Sequence, residues 1–298
     1  MSMLEFDERQ LLPAQAEGPL TSVLRPAPEV HRSCIFKWLL FTVSMLGCES
    51  TTVIASFSCP KSTNANLVDA ADAAAGAGNA DSTFTLPWSS GFENGWCDYQ
   101  DGNGFFAESG TQHKEVVTSP VHSGAFAAAF TVDAASEGQM RAVHTGPMPM
   151  EAFYGAWYYV PALAKNTGLW NLINFQGDNS ENLGHLWDIS LLNNGNGDLR
   201  LEVFSYWITD GPDQTNHPPI PIGKWFHIEM FWKRASDETG EVIVYQDGKS
   251  IFEMTNIKTD NTSSTSSVVK WYVGNLATDL EPVESTVYVD DVSIKTTR

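Results

Sequence analysis

Side chains two residues apart on a β-strand share a face, and between residues 139 and 206 that rule collects groups with related chemistry. Gln139 points with Arg141, Trp170 with Asn174 and Gln176, His185 with Trp187, and Arg200 with Glu202 and Tyr206. A sugar site takes flat rings for the apolar faces of the pyranose, and amides, guanidinium or carboxylates for its hydroxyls. Arg141, Trp170, Asn174, Gln176, Trp187 and Tyr206 supply those types and are the candidate carbohydrate-binding residues. Each Trp also has a plainer use as core packing, since large aromatics are highly buried on average.

Other chemistries lack their groups. A glycosidase needs two carboxylates flanking one bond, whereas Asp188, Glu202 and Glu229 each stand alone on their strands. No GxSxG, HExxH, CxxC or phosphate-binding Gly-rich loop occurs, and no organic cofactor is expected. The 298 residues hold 17 Lys and Arg against 36 Asp and Glu, a net charge of −19. That balance argues against nucleic acid as a partner, because phosphate neutralisation needs clustered cations.

The elements that position these groups read as strands. Period-two apolar runs recur at Phe126–Val132, Leu199–Val203, Phe226–Trp232 and Val242–Val244, separated by turn residues. Asp247-Gly248, between EVIVYQ and KSIFEM, suits a type I′ hairpin turn, and NNGNGD at 193–198 is a second hairpin candidate. About a dozen strands and no long helix predict an all-β, two-sheet antiparallel jelly-roll sandwich over residues 84–298. In the last strand Val287 and Val289 share one phase and Val292 and Ile294 the other, so the alternation slips at Asp290-Asp291, which predicts a bulge.

The N-terminal part reads as an address. Residues 35–46 form an apolar run behind His31 and Arg32, too short for a membrane span. Leu46-Gly47-Cys48 resembles the lipobox of bacterial lipoproteins. Residues 1–47 are accordingly expected to be an extension with a signal segment, Cys48 the lipidated residue, and 48–83 an Ala-rich flexible tether. That places the protein in the cell envelope or outside the cell, touching membrane only through the lipid. Cys59 and Cys97 then remain, either free or joined in one disulfide.

Two segments carry a more specific likeness. The pairing of Gly91-Phe92-Glu93-Asn94-Gly95-Trp96 with Tyr288-Val289-Asp290-Asp291-Val292 resembles jelly-roll carbohydrate-binding modules and polysaccharide lyases of the concanavalin A-like lectin/glucanase superfamily. The Trp-led run from Lys224 to Lys233, followed by the Asp247-Gly248 hairpin, is similar to heparin-lyase-like enzymes. In several such families a Glu and a last-strand Asp help hold a structural Ca²⁺. The resemblance therefore implies Glu93 and Asp290 as ligands with Asp291 as helper, the alternative being turn capping or exposure to water.

In the resembled lyases a His and a Tyr exchange protons, with Gln, Asn or Arg beside the uronate carboxylate. Where they carry Gln and His two apart, this chain has Asn174 and Gln176, so His144, His185 or His227 would have to serve, with Tyr206. The reading is a monomeric, exported, lipid-anchored glycan-binding protein taking a poly- or oligosaccharide. The first alternative is a polysaccharide lyase acting by β-elimination on a uronate polymer, with a lyase preferred to a hydrolase if there is turnover. The second is a protein-binding adhesion module.

Overall fold

The computed structural model describes residues 57, 59, 86–99, 105–107, 112–135, 137–177, 185–193, 197–205, 208, 211–260 and 268–298. The leader, Cys48, most of the tether and Tyr206 lie outside the described residues.

The strands run in chain order as β1 (Trp88–Ser90), β2 (Phe105–Ala107), β3 (Gln112–Val117), β4 (Ala127–Asp133), β5 (Gly138–Pro147), β6 (Glu151–Tyr159), β7 (Lys165–Asn166) and β8 (Trp170–Gly177). They continue as β9 (His185–Asn193), β10 (Leu199–Phe204), β11 (Trp225–Lys233), β12 (Gly240–Gln246), β13 (Lys249–Ile257), β14 (Val268–Ala277), β15 (Leu280–Glu281) and β16 (Glu284–Lys295). An eight-stranded sheet has the order β13-β12-β11-β6-β16-β4-β3, with β1 added on β16, and a six-stranded sheet has the order β10-β9-β8-β14-β5-β2. All pairings are antiparallel, as the jelly-roll expectation requires.

Alternation builds the sandwich. Ala128, Phe130 and Val132 on β4, Tyr154 and Tyr158 on β6, and Phe226, Ile228, Met230 and Trp232 on β11 are buried on the inner face of the large sheet. Phe175, Trp187, Ile189 and Trp271 answer from the small sheet. Asn275, wholly buried on β14, ties the sheets together by donating to the Phe130 carbonyl at 3.2 Å and the Ser285 carbonyl at 3.1 Å. Surplus aromatics gather on the outer face of the large sheet, where Tyr159 packs on Trp225 and Tyr288 at 5.6 and 5.7 Å.

Both hairpins form. Asp247 and Gly248 have φ of 50° and 79°, the two positive values a type I′ turn needs, and Gln246 pairs with Lys249. Asn193 pairs with Leu199 across the other. The last-strand bulge is present as well, between Asp290 and Ser293, with Asp291 at φ 47°.

Cys59 and Cys97 form a disulfide, so the chain joins the domain ahead of its first strand. Phe57 packs edge-on to Phe126 at 5.2 Å and lies over Gly95, where a Cβ would come within 2.6 Å of its ring.

Trp187 is buried, and its indole donates to the Thr259 carbonyl at 2.9 Å. Trp187→Ala should therefore destabilise the fold by about 3–5 kcal/mol, measured by denaturant unfolding.

Candidate active site

The outer face of the six-stranded sheet carries a cavity of about 290 Å³ bordered by Arg141, Asn171, Asn174, His185, Asp188, Ser190, Glu202 and Phe204. Three irregularities decide which side chains reach it. On β8 Asn171 pairs with Ser190 and Ile173 with Ile189, so Leu172 is an extra residue. On β9 Trp187 pairs with Phe175 and His185 with Gln176, so Leu186 is extra. On β14 the register against β8 jumps between Val273 and Leu276, where Gly274 takes φ 143°. A Cβ at Gly274 would lie 2.7 Å from the Met140 carbonyl oxygen and 2.9 Å from Arg141 Cα, so only glycine lets β14 close on β5 behind Arg141.

Each extra residue reverses the parity of what lies beyond it. Asn171 and Asn174 both reach the cavity, and Trp170 borders it too, with its ring buried in the core and its Nε1 donating to Asn275 Oδ1 at 3.1 Å. The same reversal separates His185, on the cavity side, from Trp187, in the core. Trp187 is thus corrected from a sugar platform to a core residue, whereas Trp170 borders the cavity as a buried wall. His144 is corrected too: it faces inward, stacked on Trp88 at 4.6 Å, and burial pushes its imidazole down to about 4. His227 sits against Trp157 on the outer face of the large sheet, with burial holding its imidazole below the usual range.

What comes together is compact. Asn174 Nδ2 donates to Asp188 Oδ1 at 2.7 Å and lies 3.2 Å from His185 Nδ1, and that imidazole nitrogen is 3.9 Å from Asp188 Oδ2. The Arg141 guanidinium lies 4.3 Å over the Tyr272 ring and donates to Gln139, and Tyr272 OH donates to Gln176 Oε1 at 3.0 Å. Burial raises the Tyr272 phenol, against the opposing pull of Arg141. Burial raises Asp188 as well, against the Asn174 amide, His185, Arg141 and the Asn171 amide. Arg141, Asn174, Gln176 and His185 were singled out from sequence, whereas Tyr272 was missed. Its alternation with Lys270 on β14, the register partner of Gln176, was the available signal.

Glu93, Asp290 and Asp291 converge around Gly91, at the bulge of β16 in the other sheet. Glu93 Oε1 accepts from the Ala125 and Phe126 amides at 2.9 and 3.1 Å, and Asp290 Oδ2 from those of His122 and Ser123 at 2.9 and 3.2 Å. Asp290 Oδ1 accepts from the Asp291 amide at 2.8 Å, and burial pushes the Asp290 carboxyl up to about 6. His122 Nδ1 and Ser123 Oγ lie 2.6 and 2.9 Å from the two oxygens of Asp291. Among the described residues no group of three or more His, Cys, Asp or Glu is arranged to hold a metal. Backbone and side-chain donors meet these carboxylates as arranged.

A family model described as polysaccharide lyase matches residues 90–293, and the chain belongs to that family. No protein of curated function matches the sequence. Among solved structures the chain is similar to an endo-β-1,4-glucuronan lyase from the fungus Trichoderma reesei, at 16% identity over 64% of this chain and 90% of that one, with a TM-score of 0.49. It is similar to the cellulose-induced protein Cip1, at 20% identity over 71% and 98% of the chains, TM-score 0.49. A marine PL-14 alginate lyase from Aplysia kurodai gives 13% identity, 70% and 97% coverage, and a TM-score of 0.45.

The convergence of Glu93, Asp290 and Asp291 sets an expectation for thermal melting. A native-state calcium site would raise the melting temperature with the logarithm of calcium concentration. If Glu93 and Asp290 hold calcium as the resemblance implies, that rise should be seen and Asp290→Ala should abolish it.

Proposed function

We propose that the protein is a polysaccharide lyase that cleaves a uronate-containing polymer by β-elimination in the cavity of the six-stranded sheet. Family membership supports this reading over glycan binding alone or adhesion. The single observation that carries it is the grouping of His185, Tyr272 and Arg141 on one face, with the Asn174 and Gln176 amides between them.

Elimination removes the proton alpha to the uronate carboxylate, breaks the bond from C4 to the glycosidic oxygen and leaves a C4–C5 double bond, while the departing oxygen takes a proton. Arg141 neutralises the carboxylate and the enolate that develops from it. His185, whose imidazole lies beside the Asn174 amide and the Asp188 carboxylate, is the base that accepts the C5 proton. Tyr272, whose phenol burial keeps protonated beyond its ordinary range, delivers a proton to the leaving oxygen. Asp188 orients both the imidazole and the Asn174 amide. The Cys59–Cys97 disulfide supports export to an oxidising compartment, in keeping with the leader and the anchor expected at Cys48.

Turnover is read as ultraviolet absorbance of the unsaturated uronate product. His185→Ala and Tyr272→Phe should each lower kcat by about 10²- to 10⁴-fold, the scale of one proton-transfer group, with little change in affinity. Absence of unsaturated product from the wild-type protein on every uronate polymer tested would overturn the lyase reading. Because the Tyr272 phenol is raised, the alkaline limb of the rate profile should lie above the ordinary phenol range near 10 and should vanish in Tyr272→Phe.

A further inference from the structure

The cavity is polarised along its strands. On one side, beyond the lining along β8 and β14, stand Gln176 and its register partner Lys270, which is exposed. On the other side, level with Asn171 and Ser190, Glu202 borders the cavity, and Asp188 lies between, level with Asn174. Arg200 shares a strand with Glu202, but its guanidinium donates to the His217 carbonyl and does not border the cavity. Segments 100–111, 178–184, 194–196, 206–210 and 261–267 contain no Lys or Arg, so their sequence offers no cation to offset those acids.

The hydrogen-bonding capacity at the acidic end is one-sided. Asn171 Nδ2 is committed to the Ile173 carbonyl at 3.0 Å, Asp188 Oδ1 at 3.0 Å and Ser190 Oγ at 3.3 Å, and Asn174 Nδ2 to Asp188. Both amides are therefore fixed with their oxygens turned the other way. Asn171 Oδ1 and Asn174 Oδ1 are buried without a partner among the described residues, although both side chains border the cavity. Two buried amide oxygens and the Glu202 carboxylate thus call for O–H donors, and buried acceptors left without donors are unfavourable. Phe204 and Leu192, 48% and 42% exposed at the cavity mouth, add an apolar surface of the kind that the C–H face of a sugar ring covers.

We propose that this end of the cavity is a subsite for an uncharged, hydroxyl-rich sugar, so that the polymer cleaved here alternates uronate with neutral residues. A ring bearing its own carboxylate would bring a second negative charge and further acceptors next to Glu202, and like charges in a partly desolvated site repel. The neutral ring instead gives its hydroxyl protons to Asn171, Asn174 and Glu202 and lays its apolar face on Phe204. This inference rests on the lyase reading for the position of the uronate at Arg141.

The test uses the full chain carrying Tyr272→Phe, so that oligosaccharides bind without being cut. Calorimetry compares a tetrasaccharide alternating glucuronate with a neutral hexose against tetraglucuronate at low salt. The alternating ligand should bind at least tenfold more tightly, and Glu202→Gln in the same background should narrow that ratio several-fold by strengthening tetraglucuronate binding. Equal or tighter binding of tetraglucuronate, or no binding of either, overturns the subsite. Turnover by the wild-type protein separates the two claims. Preferential binding of the alternating ligand without unsaturated product from any polymer keeps the subsite and removes the lyase, whereas product formed fastest from polyglucuronate keeps the lyase and removes the subsite.

Discussion

The period of two along a β-strand is the constraint on which the rest of this molecule depends, and the site exists because that period is broken in three adjacent strands. Uninterrupted alternation would carry Trp170 to the same face as Asn174, and His185 to the same face as Trp187. The extra residues at Leu172 and Leu186 let each large indole pack inside while its polar neighbour faces out. Gly274 provides the matching irregularity on β14, so that three consecutive strands change phase around one cavity. Bulges of this kind re-aim side chains at the cost of ladder hydrogen bonds. Here the buried indoles regain theirs from Asn275 and the Thr259 carbonyl.

Organisation of the polar groups precedes any substrate. Asp188 receives both Asn171 and Asn174, Tyr272 is held by Gln176, and Arg141 lies across the Tyr272 ring with Gln139 as acceptor. A buried network of this type is rigid because each member fixes the next. Catalysis by positioned charges gains from such rigidity, since little reorganisation is left for the moment of reaction. The same network explains why a half-buried carboxylate is tolerated in this cavity: its charge is taken up by two amides and lies within the field of Arg141.

Much of the sandwich was legible because its signals are local. Asp247-Gly248 fixes a turn by its own torsions, and the phase slip at Asp290-Asp291 is visible as a change in which Val and Ile positions alternate. Arg141, Asn174, Gln176 and His185 were also within reach, as polar side chains on strands otherwise rich in apolar residues. Trp170 and Trp187 were read on the outer face for a common reason. The bulges at Leu172 and Leu186 leave no mark in sequence, both extra residues being ordinary buried leucines. His144 lies on a strand where polar Gln139 and Arg141 face out and one imidazole faces in. Tyr272 was overlooked because strand β14 reads as apolar, and its role appears only when Arg141 and Gln176 arrive from strands far away in sequence.

The disulfide between Cys59 and Cys97 has a mechanical consequence. By fastening residue 59 to the domain it closes the intervening Ala-, Asn- and Gly-rich stretch into a loop, which then contributes nothing to how far the domain can travel from a point of attachment upstream. Ten residues, or eleven Cα-to-Cα steps, separate Cys48 from Cys59. Fully extended they reach at most about 40 Å, so an enzyme held at Cys48 would work on a short leash and sample polymer only in a thin layer next to its anchoring surface.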